Sequence, residues 1–303
     1  MVSKAVLEII KGYVPEENIY LKEPLAKHTT FRVGGPAECM IDISSTAELQ
    51  KLLHYLNLVE LPYFVMGNGS NILAGDQGYQ GIVLRMGNKI SGIRVEGTRV
   101  IAQAGALMSA VARVCLEAGL TGFEFAAGIP GSIGGGVVMN AGAYGGEMKQ
   151  VVKKVSVLTR EGEALELDNE TMEFGYRTSA IREHPFLVTE VELELRLGDR
   201  EEIRSRMEEL AARRREKQPL EYPSAGSTFK RPEGYFAGEL IMKAGFRGFQ
   251  IGGARVSDKH CGFVINAGGA SAEDILDVMH EVQAGVKEKF GVSLEPEVVF
   301  MGR

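Results

Sequence analysis

The segment Tyr222–Pro232 carries a hydroxyl, Ser227, among small residues, and two cations, Lys230 and Arg231, follow it. A serine placed beside positive charge is the local chemistry of a proton donor that faces an anionic substrate. Proline, serine and glycine in one stretch also favour a simple turn, so this segment needs support from elsewhere in the chain.

Two glycine-rich stretches have the composition of phosphate-binding loops. The first, Gly67-Asn-Gly-Ser-Asn71, offers successive backbone N–H groups with little side-chain obstruction, a concavity suited to a pyrophosphate. It has Ile72 where a Rossmann fingerprint has its third glycine, and no acidic residue follows at the distance that a ribose contact needs. Taken alone, this loop is explained as simply by a β-turn.

The second stretch, residues 128–136 with Asn140-Ala-Gly-Ala-Tyr144, strengthens the phosphate interpretation. It adds many backbone amides, the Ser132 hydroxyl and the Asn140 side-chain amide, enough for a dinucleotide that lies extended between two subdomains. The density of glycine over residues 121–146 predicts a loop built for close backbone approach, and it argues against a helix or a sheet interior there.

The bulk composition is that of an ordinary globular chain. Its 303 residues, 45% hydrophobic and 24% charged, are enough for two or three domains with real cores. A net charge of −6 argues against general nucleic-acid affinity, so an anionic ligand must be met by local cations. Three widely spaced cysteines and the spacing of the histidines predict neither a disulfide framework nor a metal site. We expect a cytoplasmic protein without signal peptide or membrane anchor.

Hydrophobic periodicity places these motifs on mixed α and β elements. Helices are predicted over residues 3–11, 46–57, 107–118, 201–217 and 272–290. Strands are predicted over residues 39–43, 62–66, 152–158, 164–167, 186–197 and 262–266. A last strand is predicted to carry Glu295 and Glu297 on one face.

The two glycine loops, the serine segment and two further blocks, Phe174-Gly-Tyr-Arg-Thr-Ser179 and Leu294-Glu-Pro-Glu-Val298, occur in an order that resembles one family. This family is the flavin-dependent UDP-N-acetylenolpyruvoylglucosamine reductases of peptidoglycan synthesis. The resemblance implies an α+β fold with a FAD-binding domain of two α+β subdomains, similar to vanillyl-alcohol oxidase. These subdomains would be residues 1–86 and 87–199, and a smaller α+β substrate-binding domain would occupy residues 200–303.

The resemblance also implies catalytic roles for three residues. Arg177 would hold the substrate carboxylate and the enolate formed from it, and Ser227 would donate the proton. Glu297 would bond to the intermediate or position a water, two alternatives that the sequence leaves open. Hydride added to the enolpyruvyl methylene drives negative charge onto the α-carbon and the carboxylate oxygens, where one preorganised donor is worth ~3 kcal/mol.

Binding roles follow from the same resemblance. The cofactor-binding residues would be Gly67, Asn68, Gly69, Ser70 and Asn71 of the first loop, and Gly128, Pro130, Gly131, Ser132, Gly134, Gly135, Asn140 and Gly142 of the second. Lys217 and Arg231 would bind the substrate diphosphate, with Arg247 and His260 as further substrate-binding candidates. Histidine and cysteine are absent from residues 67–73 and 128–144, so we expect non-covalent FAD.

The implied reaction passes hydride from NADPH through FAD to UDP-N-acetyl-3-O-(1-carboxyvinyl)-glucosamine and gives UDP-N-acetylmuramate. The partners would be small molecules, with neither nucleic acid nor membrane among them. Only 49 residues separate Arg177 from Ser227, which resembles the shorter subgroup without an additional tyrosine loop. Two alternatives remain: an alcohol oxidase on the same fold, and a nucleotide-sugar-binding regulator with a degenerate flavin site.

Overall fold

The computed structural model describes residues 2–302 and divides into two compact units that alternate along the sequence. One unit contains residues up to 21, residues 39–68 and residues 81–214. The other contains residues 22–38, residues 69–80 and the residues from 215 onward. Each unit therefore combines segments that lie far apart in the chain.

The α-helices of the described residues range from one turn to five turns. They are α1 (Lys4–Ile10), α2 (Thr46–Leu58), α3 (Met108–Ala118), α4 (Ile133–Val138), α5 (Ala180–Glu183), α6 (Arg200–Lys217), α7 (Ala237–Ala244) and α8 (Ala272–Phe290).

The strands are short to medium in length. They are β1 (Ile19–Pro24), β2 (Pro36–Asp42), β3 (Tyr63–Met66), β4 (Ile72–Ala74), β5 (Tyr79–Arg85), β6 (Ile93–Glu96), β7 (Arg99–Gln103), β8 (Leu120–Thr121), β9 (Gly142–Ala143), β10 (Gly146–Glu147), β11 (Val152–Leu158), β12 (Ala164–Asp168), β13 (Leu187–Glu194), β14 (Arg196–Leu197), β15 (Gln250–Ile251), β16 (Ala254–Val256), β17 (Val264–Asn266) and β18 (Val299–Met301).

The strands form sheets of mixed character. A four-stranded sheet has the order β1-β2-β5-β3, with β3 and β5 parallel, and an antiparallel five-stranded sheet has the order β12-β11-β13-β7-β6. The three antiparallel strands β15-β16-β17 belong to the other unit, where β18 also pairs in parallel with β4. Mixed strand directions with interspersed helices confirm the predicted α+β class.

Each unit has its own hydrophobic core. In the first, α2 and α3 bury their apolar faces with strands of the two larger sheets, and residues such as Leu52 and Val155 are fully buried. In the second, α8 buries an apolar stripe that includes Ile275, Met279 and Val282. A Ser271 capping box begins α8 and Gly291, in the left-handed region at φ 70°, ends it, so its predicted bounds are correct.

The prediction that residues 121–146 exclude a helix is wrong, because α4 lies within them. Ser132 caps this helix, and its glycines permit close packing that overrides their low helix propensity. A Cβ on Gly134 would lie 2.9 Å from the Ala104 Cβ, and one on Gly136 would lie 2.8 Å from the Met108 sulfur. Tertiary contact thus explains a helix that the composition argues against.

Three other expectations need correction. The strand predicted over residues 186–197 is interrupted at Leu195, and α7 was not predicted. The final strand begins at Val299, so Glu295 and Glu297 precede it and flank an isolated bridge between Phe229 and Pro296. No helix within residues 2–302 is long and apolar enough to cross a membrane.

Candidate active site

The first glycine loop begins where β3 ends. The Met66 carbonyl accepts a hydrogen bond from the Met86 amide at 2.8 Å, and the chain then turns through Gly67. A Cβ on Gly67 would lie 2.1 Å from the Ser132 Oγ, so only glycine leaves room for this buried hydroxyl. The Asn68 Nδ2 donates to the Pro130 carbonyl at 2.6 Å, which links the first loop to the second.

Gly69 is required by both conformation and space. It has φ 61°, and a Cβ there would lie 1.9 Å from the His28 carbonyl oxygen. The fold therefore brings a histidine beside the loop, a neighbour that the local sequence cannot reveal. The His28 ring is held by a 2.9 Å hydrogen bond between its Nε2 and Glu23. Non-covalent FAD remains our prediction.

Several backbone amides of both loops fit a phosphate-bearing cofactor. Within residues 2–302, no protein acceptor binds the amides of Asn68, Gly69, Ser70 and Asn71, or those of Gly128, Gly131 and Ser132. The Thr30 hydroxyl oxygen is buried without a partner, and the Thr30 amide donates to the Gly69 carbonyl at 3.2 Å. Amides without a protein acceptor are available to a ligand, and a buried polar group that finds no partner is costly. Each loop therefore offers amide donors that fit a phosphate of FAD.

Not every predicted cofactor residue offers a free donor. The Gly134 amide already donates to the Ala104 carbonyl at 3.0 Å, and the Gly135 amide donates to the Ser132 Oγ at 3.4 Å. Gly142 lies in β9, which pairs with β10. Any contribution of these glycines to cofactor binding comes through the backbone shape that they permit.

Asn140 joins the second loop to the Arg177 turn. Its Nδ2 donates to Glu147 at 3.1 Å and to the Gly175 carbonyl at 2.9 Å, while its Oδ1 accepts from the Lys149 amide at 2.9 Å. The side chain is 1% exposed and is nearly saturated with protein partners. The structure therefore gives Asn140 a positioning function in this turn.

Arg177 lies in a tight turn between Gly175 and Thr178, with φ 55° in the left-handed region. Its guanidinium carbon is 5.3 Å from the centroid of the Tyr176 ring, and its Nη2 donates to the Gly142 carbonyl at 3.4 Å. A positive φ is unfavourable for arginine, and such strain is commonly retained at functional sites. The turn fixes the direction in which this cation projects.

Ser227 and Glu297 lie on two backbone segments that are hydrogen-bonded to each other. The Glu297 amide donates to the Thr228 carbonyl at 2.8 Å, and the Lys230 amide donates to the Glu295 carbonyl at 2.8 Å. Thr228 is fully buried, and its Oγ1 accepts from the Val264 amide at 2.8 Å, which anchors the segment to β17. Ser227 itself is exposed, one residue before this anchor.

The two glutamates of the Glu-Pro-Glu motif have different partners. Glu295 is exposed and forms an ion pair with Lys230. Glu297 is half-buried, and its carbonyl accepts from the Asn71 Nδ2 at 2.9 Å. The structure thus ties Glu297 to the first glycine loop, a connection that the sequence analysis did not anticipate.

The four candidate substrate-binding residues differ in their surroundings. Lys217 is exposed at the end of α6, where its side chain makes no hydrogen bond or ion pair with residues 2–302. The Arg231 guanidinium carbon lies 4.0 Å from the centroid of the Phe236 ring. The Arg247 Nη2 lies 3.1 Å from the Met242 sulfur.

His260 is the candidate with a shifted pKa. Its Nδ1 accepts from the Gly262 amide at 3.1 Å, and its ring packs 5.0 Å from that of Phe263. Burial lowers the pKa of His260, because the surroundings penalise the charged imidazolium. The lowered pKa favours the neutral imidazole.

Two amide-rich loops on an α+β scaffold suit a phosphate-bearing dinucleotide, and sequence comparison makes the class that of the FAD-dependent oxidoreductases. Residues 37–168 match the FAD binding domain family, and residues 218–301 match the C-terminal domain of UDP-N-acetylenolpyruvoylglucosamine reductase. The chain belongs to the UDP-N-acetylenolpyruvoylglucosamine reductase family.

Relatives support this assignment over nearly the full length. The chain is 49% identical to the UDP-N-acetylenolpyruvoylglucosamine reductase of Caldanaerobacter subterraneus subsp. tengcongensis, over 99% of both chains. It is 49% identical to that of Clostridioides difficile, over 95% of this chain and 94% of the relative.

Solved structures agree with the fold. The crystal structure of the UDP-N-acetylenolpyruvylglucosamine reductase from Thermus caldophilus has a TM-score of 0.80 and 35% identity, covering 94% of this chain and 98% of that one. The grass pollen allergen Phl p 4, which has glucose dehydrogenase activity, has a TM-score of 0.52 at 15% identity, covering 64% of this chain and 44% of that one. The second likeness concerns the fold alone.

Proposed function

We propose that this chain reduces the enolpyruvyl group of UDP-N-acetyl-3-O-(1-carboxyvinyl)-glucosamine to UDP-N-acetylmuramate, with NADPH as the hydride donor, in peptidoglycan precursor synthesis. The observation that carries the proposal is the backbone pairing of Thr228 with Glu297, which brings the Ser227 and Glu297 segments together. The two glycine loops would hold FAD, which would supply hydride transfer from NADPH to the substrate in two separate half-reactions.

Arg177 stabilises the charge that develops on the substrate. Hydride addition to the methylene carbon breaks the carbon–carbon π bond and places its electron pair on the α-carbon, conjugated with the carboxylate. A guanidinium donates two parallel hydrogen bonds to a carboxylate or enolate, and it remains charged throughout. The constrained turn at Gly175–Thr178 preorganises this donor, so little reorganisation is needed during reaction.

Ser227 completes the reduction by giving its Oγ proton to the α-carbon. The strongly basic carbanion makes a serine hydroxyl an adequate acid when the two are in hydrogen-bond reach. The anchor at Thr228 holds the backbone of Ser227, and the Ser227 side chain remains exposed. The serine oxygen then regains a proton from solvent, which balances the step.

Glu297 orients the proton delivery. Its carboxylate accepts hydrogen bonds, so it can hold a water or the substrate in the geometry that Ser227 requires. Its backbone is fixed at the amide by Thr228 and at the carbonyl by Asn71. These two bonds support a positioning function for Glu297 and distinguish it from the solvent-exposed Glu295.

We propose that Lys217 and Arg231 bind the substrate diphosphate, with Arg247 and His260 contributing to the same ligand. The free ammonium of Lys217 and the ring-supported guanidinium of Arg231 suit an anion. A neutral His260 contributes hydrogen bonding without charge. Residues 1–86 and 87–199 would then bind the cofactor and residues 200–303 the sugar nucleotide, in a cytoplasmic enzyme.

Product analysis tests this function. Purified enzyme mixed with NADPH and the enolpyruvyl nucleotide should consume the two in equal amounts and give a product heavier by two hydrogens. Acid precipitation should release yellow flavin into the supernatant, as expected for a non-covalent cofactor. NADPH oxidation that requires oxygen and ignores the enolpyruvyl nucleotide would support an oxidase instead.

A further inference from the structure

Arg214 lies in the last turn of α6 and packs against the second glycine loop. A Cβ on Gly128 would lie 3.2 Å from the Arg214 Cδ and 3.4 Å from its Nη1, so the arginine covers the place where Gly128 lacks a side chain. The residue is only partly exposed, and burial lowers the pKa of its guanidinium. This cation is therefore held in contact with the loop and is partly removed from water.

The guanidinium has no anionic partner in the part of the chain that the structure describes. The Arg214 side chain makes neither an ion pair nor a hydrogen bond with residues 2–302, and the phenol of Tyr144 is its electrostatic neighbour. The adjacent Arg213 contrasts with it, because its Nη2 forms a 2.5 Å ion pair with Glu209. Two consecutive arginines on one helix thus have opposite surroundings.

Burying a cation without a partner is unfavourable, because desolvation is not repaid by Coulomb attraction or hydrogen bonds. An anionic ligand at the same place would repay it. The Gly131 and Ser132 amides, a few residues after Gly128, also lack acceptors within the described residues. The Arg214 guanidinium beside Gly128 and the two free amides of the same loop are the donor types that suit a phosphate oxyanion.

We propose that Arg214 binds a diphosphate, and that this diphosphate belongs to the flavin cofactor. The inference rests on the proposed function, because it assumes that the glycine loop holds FAD. The sugar nucleotide carries the same chemical group and is the other possible source. The contact with Gly128 and the unpaired amides of the same loop favour the cofactor.

The test compares Arg214→Met with Arg213→Met in apoprotein prepared by removing the flavin. FAD is titrated into each variant and binding is followed by quenching of flavin fluorescence. Loss of a charge-assisted contact should raise the Kd for FAD of Arg214→Met by about tenfold to a hundredfold. Arg213→Met, which loses only an exposed ion pair, should change the Kd less than about threefold.

Thermal unfolding distinguishes ligand binding from a structural role. Without FAD, Arg214→Met should unfold at the same temperature as the wild type or higher, because an unpaired buried charge is removed. The rise in Tm on adding FAD should be smaller for this variant, as mass action requires for weaker binding. A structural role would lower the Tm of the apoprotein instead. Arg214→Lys, which keeps the charge and loses the guanidinium fork, should bind FAD with an intermediate Kd.

Titration of uridine diphosphate into the flavin-loaded variants shows whether Arg214 binds the diphosphate of FAD or that of the sugar nucleotide. A weaker affinity for uridine diphosphate alone, with unchanged FAD binding, would overturn the assignment to the cofactor. Unchanged affinity for both ligands in Arg214→Met would overturn the diphosphate site altogether. Failure of the wild-type apoprotein to bind FAD would instead contradict the proposed function.

Discussion

The Asn71 Nδ2 donates a hydrogen bond to the Glu297 carbonyl at 2.9 Å, across 226 positions of sequence. The Val299 amide donates in return to the Asn71 carbonyl at 2.9 Å, and β18 then pairs in parallel with β4. A residue of the first glycine loop is therefore fixed to the backbone that carries Glu297. The position of the Glu297 backbone therefore depends on Asn71.

Replacing Asn71 should impair catalysis through Glu297. Asn71→Ala leaves the Glu297 carbonyl without its donor, which we expect to cost about 1–3 kcal/mol of unfolding free energy. The kcat should fall by about tenfold, because the carboxylate loses its orientation. Asn68→Ala is the matched control: its amide bonds to Pro130, so it should raise the Kd for FAD with little effect on kcat. Equal effects of both variants on kcat and on FAD affinity would reject the separate role of Asn71.

Ser227→Ala should separate the two half-reactions. Reduction of the flavin by NADPH does not use the serine proton and should remain near the wild-type rate. Reduction of the enolpyruvyl substrate should slow by about a hundredfold or more, the usual loss for a positioned acid. Ser227→Cys keeps a transferable proton and should retain more activity than Ser227→Ala. Rapid mixing measures both halves, and equal slowing of the two would point to a structural role.

Lys217→Ala and Arg231→Ala should raise KM for the nucleotide substrate more than they lower kcat. A diphosphate contact made equally in the ground state and the transition state contributes uniform binding. Lys243→Ala offers a control, because that lysine forms an exposed ion pair with Glu239 and should leave both constants unchanged. Steady-state kinetics with varied nucleotide decide the matter, and an unchanged KM would exclude diphosphate binding.

His260 should make stability fall in mild acid. Burial lowers the pKa of the folded residue below 6.5, so the unfolded chain binds a proton that the folded chain excludes. Stability is therefore fully present above about pH 6.5 and decreases as the pH falls toward the folded pKa. Denaturant unfolding of the apoprotein between about pH 5 and pH 7 measures this dependence. The dependence of the unfolding free energy on pH should be weaker in His260→Gln than in His280→Gln, where an exposed histidine is replaced. Identical slopes in the two variants would contradict it.

Local signals explain which elements the sequence could predict. Amphipathic periodicity predicted the bounds of α8 correctly, and the capping box at Ser271 and the terminal Gly291 are local features that agree with them. The helix α4 was not predicted, because the packing of Gly134 against Ala104 and of Gly136 against Met108 has no signature in the local sequence. Intrinsic helix propensity fails to predict an element where tertiary packing determines the local structure.

The candidate site shows the same limit. The order of the motifs predicts Arg177, Ser227 and Glu297 as catalytic residues, but the bond from Asn71 to Glu297 joins residues that no local pattern relates. The contrast between Arg213 and Arg214 cannot be predicted either, because a run of basic residues does not show which arginine forms an ion pair with a carboxylate. The sequence gives the chemical type of each polar side chain, but the fold determines which partners that side chain has.

The central claim is most directly tested by mixing NADPH-reduced enzyme, without oxygen, with UDP-N-acetyl-3-O-(1-carboxyvinyl)-glucosamine in a stopped-flow instrument. We predict that the flavin absorption returns in one turnover, in proportion to the nucleotide added, and that UDP-N-acetylmuramate forms in equal amount. Flavin that stays reduced under these conditions and is reoxidised only when oxygen is admitted would contradict the account.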